Sequence, residues 1–381
     1  MDQSKTSSSY LTSLKMSKPK VLHLAGSLVS EFYYKLSLIY AEEVVHPDDV
    51  SSYYAIVHPD GLWQLGKSLD SLSEKISLQD MISQLPKIDV VVPHMFCSPG
   101  MTSMRAFFED ILGLPVVGSP SQCTALATDK AKTRSIVSAS GVRVAQAQQF
   151  RQGDILKMQP PFVVKPNSED NSLGVTLVWN EDEIDLALQT GFEFDETLLI
   201  EDYIPGRELR VAVIEREDGL HVPPMVEYLF SPDNPIRTIK DKLELQSDGT
   251  PLQQNKSTSS RRECPANVTP ELFEKLADAA KRSHVALGCR DYSLYDFRVH
   301  EETNEPYLIE AGLFWSFSNI SVISLLLKTD GETVEDVALE LWNRARERNR
   351  VSCGSLFKYV KEEEKINSFH VHSVSKELAN N

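Results

Sequence analysis

Residues 289–321, CRDYSLYDFRVHEETNEPYLIEAGLFWSFSNIS, constrain the fold more than any other stretch of the chain. Two segments of strand-like composition flank the turn-forming run Glu301-Glu302-Thr303-Asn304-Glu305-Pro306, which predicts a β-hairpin carrying one acid, Asp296 or Glu310, on each arm. Alternate side chains of a strand share a face, so Asp296 is expected to project with Leu294 and Arg298, and Glu310 with Leu308 and Gly312. Pairing the arms brings the two carboxylates together. Close carboxylates repel unless a cation lies between them, and hard oxygen ligands suit Mg²⁺ carrying a nucleotide's phosphates. On this stretch alone, a solvated hairpin with both acids in water reads equally well, because Asp and Glu are mostly exposed.

The rest of the chain supplies an α/β frame. VLHLAGS from Val21 is a short apolar run ending at Gly26, followed by a helical pattern from Ser30 to Glu43 with Phe32, Leu36, Ile39 and Tyr40 on one face. DVVVP (89–93) predicts a second strand, a helix follows through Arg105 to Leu112, and LPVVG (114–118) predicts a third strand. Loops beyond the carboxyl ends of such strands are where α/β folds bind ligands, so 26–31, with Glu31, and 96–102 are candidate substrate loops or plain connections. Asp129 opens a helix over Lys130–Ser140, closed by Gly141. The strand 161–166 ends in Lys165 and leads into NSEDNSLG, a polar tip beside a lysine that suits phosphate, although a solvated hairpin would look the same.

Residues 198–211 form an apolar strand ending in Glu201, a bend at Pro205-Gly206 and a restart at Glu208. Such a bend can offer Glu201 to an adenine amino group, Glu208 to ribose hydroxyls, and the backbone at Asp202 and Ile204 to the purine edge. Residues 246–263 are almost devoid of apolar content and predict a polar loop, either a lid or a tolerated insertion, with Lys240 and Lys242 just before it. Pro270 starts a helix whose apolar face includes His284, read as a core histidine. A second packing helix carries Val334, Val337, Ala338, Leu341, Trp342 and Ala345.

Composition narrows the partners. The 381 residues hold 55 acids against 39 bases, a net charge of −16 with the bases dispersed, which argues against nucleic acid and anionic membranes. No apolar run approaches the ~18 residues of a membrane span. The five cysteines are odd in number, widely spaced and free of CxxC pairs, pointing to neither a disulfide framework nor zinc and fitting a reducing cytoplasm. The expected organisation is a polar, disordered leader (1–18, with organelle targeting left open), an α/β domain (19–124), two further subdomains (125–203 and 204–350) and a polar tail (351–381) holding His370 and His372.

In order and spacing, Lys130, the Lys165 loop, the Glu201/Glu208 bend and the Asp296/Glu310 hairpin resemble the ATP-grasp fold, in particular a D-alanine–D-alanine ligase-type member, over about residues 20–350. The fold class implied is α/β (α+β), an ATP-grasp unit behind a Rossmann-like pre-ATP-grasp domain. The resemblance implies ATP and Mg²⁺ as cofactors, with Lys130 and Lys165 on nucleotide phosphates and Asn171 and Ser172 in the loop closing over them. It further implies Glu201, Asp202, Ile204 and Glu208 on adenosine, Asp296 and Glu310 on metal, Lys242 over the transferring phosphate and Ser321 on the carboxylate of an amino-acid nucleophile.

The departures from that family are equally specific. Its E-x-N-T-x-P-G becomes Glu310-Ala311-Gly312-Leu313-Phe314-Trp315-Ser316, so Gly312 offers no second metal oxygen. The arginine of its G-R-x-D becomes Leu294, which Arg298 or Arg210 is expected to replace. Its H-G-x-x-G-E-D loop becomes Phe96-Cys97-Ser98-Pro99-Gly100-Met101-Thr102. The wording LHLAGS, MFCSPGMT, VVKPNSEDNSLGV, CRDYSLYDFR and EAGLFWSFS is similar to the ligase-like enzymes of mycosporine-like amino acid biosynthesis. This narrower resemblance implies mycosporine-glycine and an amino acid, serine or threonine, as substrates, with Phe314 and Trp315 packing on the ring. The rivals are a dipeptide ligase and an ATP-binding regulatory protein without turnover. A homodimer stays open.

Overall fold

The computed structural model describes residues 18–169, 172–230, 235–237 and 262–348. The leader, Asn171, Lys240, Lys242, nearly all of the polar loop and the C-terminal tail lie outside the described residues.

The chain begins with a four-stranded sheet in the order β3-β2-β1-β4, where β1 is Lys20–Gly26, β2 Ser51–Val57, β3 Trp63–Gly66 and β4 Val90–Pro93. β1 is apolar almost throughout and is parallel to both neighbours, and strands of a parallel sheet are covered on both faces. Gly26 ends it at φ +96°, where a Cβ would stand 2.0 Å from the carbonyl oxygen of Val57, so no side chain fits. Helix α1 (Glu31–Glu42) starts one residue later than the sequence pattern because Ser30 is its cap, its hydroxyl accepting from the Tyr33 N–H. The expected third strand, LPVVG, forms only one parallel bridge, Val91 with Val116. The helix expected through Arg105 to Leu112 is broken into helical turns at Ser98–Met101 and Ser103–Ala106 and a wider π turn at Phe107–Ile111.

Two antiparallel sheets follow. The smaller has the order β5-β8-β6-β7, with β5 at Ala147–Phe150, β6 at Phe162–Pro166, β7 at Thr176–Val178 and β8 at Leu198–Asp202. Its core of Phe162, Val164, Val178, Leu198 and Ile200 is closed by helix α2 (Ile184–Phe192). The larger has the order β12-β11-β9-β13-β14, formed by β9 (Gly206–Arg216), β11 (Val226–Tyr228), β12 (Arg262–Glu263), β13 (Tyr292–His300) and β14 (Pro306–Gly312), with β10 (Gly219–His221) beside β9. Arg262 and Glu263, expected in the polar loop, instead pair with β11.

Helix α3 (Pro270–Leu287) backs the larger sheet. Thr269 caps its start, proline fills the first turn, and Gly288 closes it in the left-handed conformation. Leu272, Leu276 and Ala280 pack it against Leu209, Val211 and Phe297. His284 is a core residue, as expected: buried, and hydrogen-bonded to Ser293.

The parallel sheet is fastened to the larger antiparallel one. Val21, Val90 and Val92 share a core with Ala212, Ile214, Tyr292, Trp315 and Trp342, the last from a helix over residues 334–348. At the seam Asp291, fully buried and at φ +67°, accepts from the Gly118 N–H at 2.7 Å and from both terminal nitrogens of Arg348, while its carbonyl accepts from Glu215. Among the described residues, no helix is long and apolar enough to cross a membrane.

A histidine pair gives this frame a pH dependence. His23 Nδ1 lies 3.0 Å from His94 Nε2 in the core, and burial pushes both imidazoles down, His94 to about 3. The folded state therefore keeps them neutral, while the unfolded chain takes up protons below ~6.5. Stability should be full above that pH and fall as pH drops toward 3, by up to about 1.4 kcal/mol per pH unit for each histidine. Urea midpoints between pH 7.5 and 5 should show this slope, and His94→Gln should flatten it; a midpoint indifferent to pH would refute the account.

Candidate active site

Lys130, Lys165, Ser172, Glu201, Asp202, Ile204, Glu208, Asp296, Arg298 and Glu310 all line one cleft of about 880 Å³, open mouth included, between the two antiparallel sheets. The helix Lys130–Ala139 begins with Lys130, and Asp129 caps it. Asn167 ties its start to the end of β6: its side-chain oxygen accepts from Ala131 N–H, its amide donates to Asp129, and its carbonyl accepts from Lys130 N–H. Two lysines distant in sequence are thereby held beside each other.

Opposite them, strand register sets the acids. Asp296 of β13 faces Glu310 of β14 on one side and Arg210 of β9 on the other. Arg210 grips Asp296 with two parallel hydrogen bonds of 2.5 and 2.6 Å. Against the cost of burial, the Asp296 carboxylate holds the Arg210 guanidinium well above its usual pKa. Glu310 lies 4.0 Å from the Lys130 ammonium.

One expectation about the hairpin fails. The register shifts after Asp296, leaving Ile309 without a partner, so Leu308 pairs with Phe297 and turns into the core instead of projecting with Glu310. This is a β-bulge, which reverses the side-chain alternation at one point.

The Glu201 carboxylate bridges Lys165 and Arg134 in two close ion pairs, all three groups buried. Burial lowers the Lys165 pKa, and Glu201 acts against that shift. Burial also raises the Asp202 carboxyl. Arg298, expected to stand in for the family arginine, is committed elsewhere. It donates to the carbonyls of Ile204, Pro235 and Gly206 at 2.8–2.9 Å and to the Tyr203 hydroxyl, pinning the bend between the two sheets.

The expected substrate residues scatter. Trp315 is 2% exposed, stacked on Phe317 in the shared core, and so does not face a substrate ring; the indole's large apolar area is buried there, and its N–H reaches Ser321 Oγ at 2.8 Å. Ser321 caps the helix Val322–Thr329. Phe314 packs edge-on against Phe96, joining the end of the hairpin to the loop 96–102. Glu31 sits on the exposed first turn of α1, outside the cleft lining. Asn171 and Lys242 lie outside the described residues.

Sequence reasoning missed Arg134 and Arg237. Arg134 stands four residues after Lys130 on one helix face, a spacing that announces it. Arg237, also in the cleft lining, lies in a segment with no periodicity.

For Mg²⁺ the donor set fits: Asp296 and Glu310 are register partners offering hard oxygens, and a carboxylate has about four acceptor sites, so the Arg210 pair does not exhaust Asp296. A Cβ at Gly312 would meet only Leu294, at 3.8 Å or more, so the backbone there accepts a side chain's first carbon without a clash.

A cleft between two antiparallel sheets, lined by two lysines and a register pair of acids, defines an ATP-grasp ligase. The family model described as D-ala D-ala ligase C-terminus matches residues 136–342, and the chain belongs to that family. It is 28% identical to the D-alanine–D-alanine ligase of Bartonella bacilliformis over 235 residues, 60% of this chain and 71% of the relative. It is 25% identical to that of Clostridium novyi over 359 residues, 87% of this chain and 99% of the relative. Among solved structures it resembles the D-alanine-D-alanine ligase from Coxiella burnetii (TM-score 0.71, 17% identity, covering 92% of this chain and 100% of that one). It also resembles the VanG D-Ala:D-Ser ligase from Enterococcus faecalis (TM-score 0.69, 21% identity, covering 86% and 99%). At such identities the structural likeness establishes the fold.

Gly312→Asn should fold normally and lower the Mg²⁺ concentration needed for nucleotide binding by adding an oxygen beside Glu310. A Mg²⁺ titration with bound nucleotide checks this, and an unchanged or weaker requirement would show that position 312 does not face the metal.

Proposed function

We propose that the protein is an ADP-forming ligase that phosphorylates an oxygen of one small substrate and then joins an amino acid's nitrogen to the carbon bearing it. The observation that carries this reading is the row Arg210–Asp296–Glu310 facing Lys130 and Lys165 across one cleft. Lys130 and Lys165 hold the triphosphate, Ser172 and Asn171 close over it, and Glu201, Asp202, Ile204 and Glu208 hold adenosine. Lys242 covers the transferring group. Asp296 and Glu310 would hold Mg²⁺, which would supply charge neutralisation to the phosphate oxygens. The terminal phosphorus breaks its bond to the ADP oxygen and bonds to the acceptor oxygen. The amine lone pair then forms the C–N bond, the C–O bond to phosphate breaks, and amine protons are released. No protein nucleophile is required, so catalysis rests on positioning and charge.

Two acceptors fit this chemistry. The names of the relatives support a D-alanine–D-alanine-type dipeptide ligase more directly, its acceptor being an amino-acid carboxylate. The second reading, mycosporine-glycine joined to serine or threonine, is favoured by Leu294, Gly312 and the loop 96–102, all departures from the dipeptide-ligase pattern. A vinylogous amide's ring oxygen is phosphorylated much as a carboxylate is, and loss of phosphate after amine addition leaves C=N. Ser321 orients the amino acid's carboxylate in either case.

The test is ADP release and product mass with ATP and Mg²⁺, given amino acids alone or with mycosporine-glycine. ADP with D-alanine alone, and a dipeptide, establishes the first acceptor. A red-shifted product heavier by an amino acid minus water establishes the second. Nucleotide binding with no ADP in any combination overturns both and leaves a regulatory ATP-binding shell. Asp296→Asn should lower kcat by about 10²-fold or more, since it removes charge from the phosphoryl-transfer site.

A further inference from the structure

We infer that Arg237 is a catalytic residue whose guanidinium receives a non-bridging oxygen of the phosphoryl group as that group leaves the nucleotide. The inference rests on the ATP-ligase reading and extends it to a side chain that no motif marks.

The geometry comes first. Arg237 is 7% exposed and lines the cleft. Its guanidinium carbon lies 4.0 Å from the centre of the Tyr228 ring, which holds the fork flat. Nη2 is 3.4 Å from Asp296 Oδ2, and Nη1 is 3.7 Å from Glu208 Oε1. Nε and Nη1 are buried without a hydrogen-bond partner among the described residues. Buried polar atoms are nearly always satisfied, so two such donors on one guanidinium leave it able to take a further acceptor from a ligand.

A comparison of donors separates Arg237 from its neighbours. Arg298 is spent on three carbonyls and a hydroxyl, and Arg210 is locked in its two-bond pair with Asp296. Arg237 stands between Asp296, proposed for the metal, and Glu208, proposed for ribose. That interval is the one a triphosphate spans. Lys130 and Lys165 line the same cleft, so an anion bound there meets a lining that carries both ammonium groups and a planar fork. A fork matches the equatorial oxygens of a phosphoryl group in transit better than it matches a hydroxyl.

The test compares the full-length protein with Arg237→Met and Arg237→Lys, the latter keeping a cation over Tyr228, with thermal midpoints checking that each folds. Binding is measured for MgADP alone and with aluminium fluoride, which mimics the transferring phosphoryl group. The unaltered protein should bind ADP at least about tenfold more tightly with the fluoride. Both variants should keep their ADP affinity but lose that gain, with kcat down by about 10²-fold. For Arg237→Ala, added guanidinium should restore part of the rate, which a packing role would not allow. The inference is overturned if the variants keep the fluoride gain or lose ADP affinity to the same degree, or if the unaltered protein shows no gain. A raised KM for the amino acid with unchanged kcat would place a substrate carboxylate at Arg237 and overturn it as well. Failure of the unaltered protein to bind ADP at all would instead remove the ATP reading, and this inference with it.

Discussion

The cleft depends on how β13 pairs with both of its neighbours. Arg210, Asp296 and Glu310 stand in one row across three strands because each is the direct partner of the next. A slip of one residue on either side would turn Arg210 or Glu310 into the packed face and leave Asp296 buried without its cation. That register is secured away from the site, by the apolar face that Tyr295, Phe297, Leu209 and Val211 turn toward the helix behind them. Hydrophobic burial on one face of the sheet thus fixes the electrostatics of the other.

Charge balance in the cleft follows from this arrangement. Lys165 and Arg134 share Glu201, and Arg210 and Arg237 share Asp296. Each of these two buried acids is thereby matched by two cations. Leu294 and Gly312, two of the positions that depart from the family's motifs, pair with each other across β13 and β14, two residues along from Asp296 and Glu310. The row itself is intact.

Much of this was legible in the sequence, and the exceptions have physical causes. The hairpin was readable because turn residues and alternation mark it locally, and the lysines because each follows a recognisable helix start or strand. The bulge at Ile309 was not, since one extra residue leaves composition untouched while reversing which way Leu308 points. Trp315 read as a substrate contact because an aromatic residue after a site strand looks the same whether it faces a ligand or a core contributed by distant segments. LPVVG has strand composition but makes only a single bridge, through Val116. Arg237 carried no signal, because its importance comes from Tyr228, Glu208 and Asp296 converging on it from three strands.

The bend at Tyr203–Pro205 has a mechanical consequence. Only three residues separate β8 of the smaller sheet from β9 of the larger, and Arg298 staples that connection by its carbonyls. So short and clamped a joint restricts how far the two sheets can slide or draw apart at the bend. A second tie, the Leu308 N–H donating to the Arg143 carbonyl, joins the larger sheet to the segment leading into the smaller one, so the two are held at two places along the cleft and not at the bend alone.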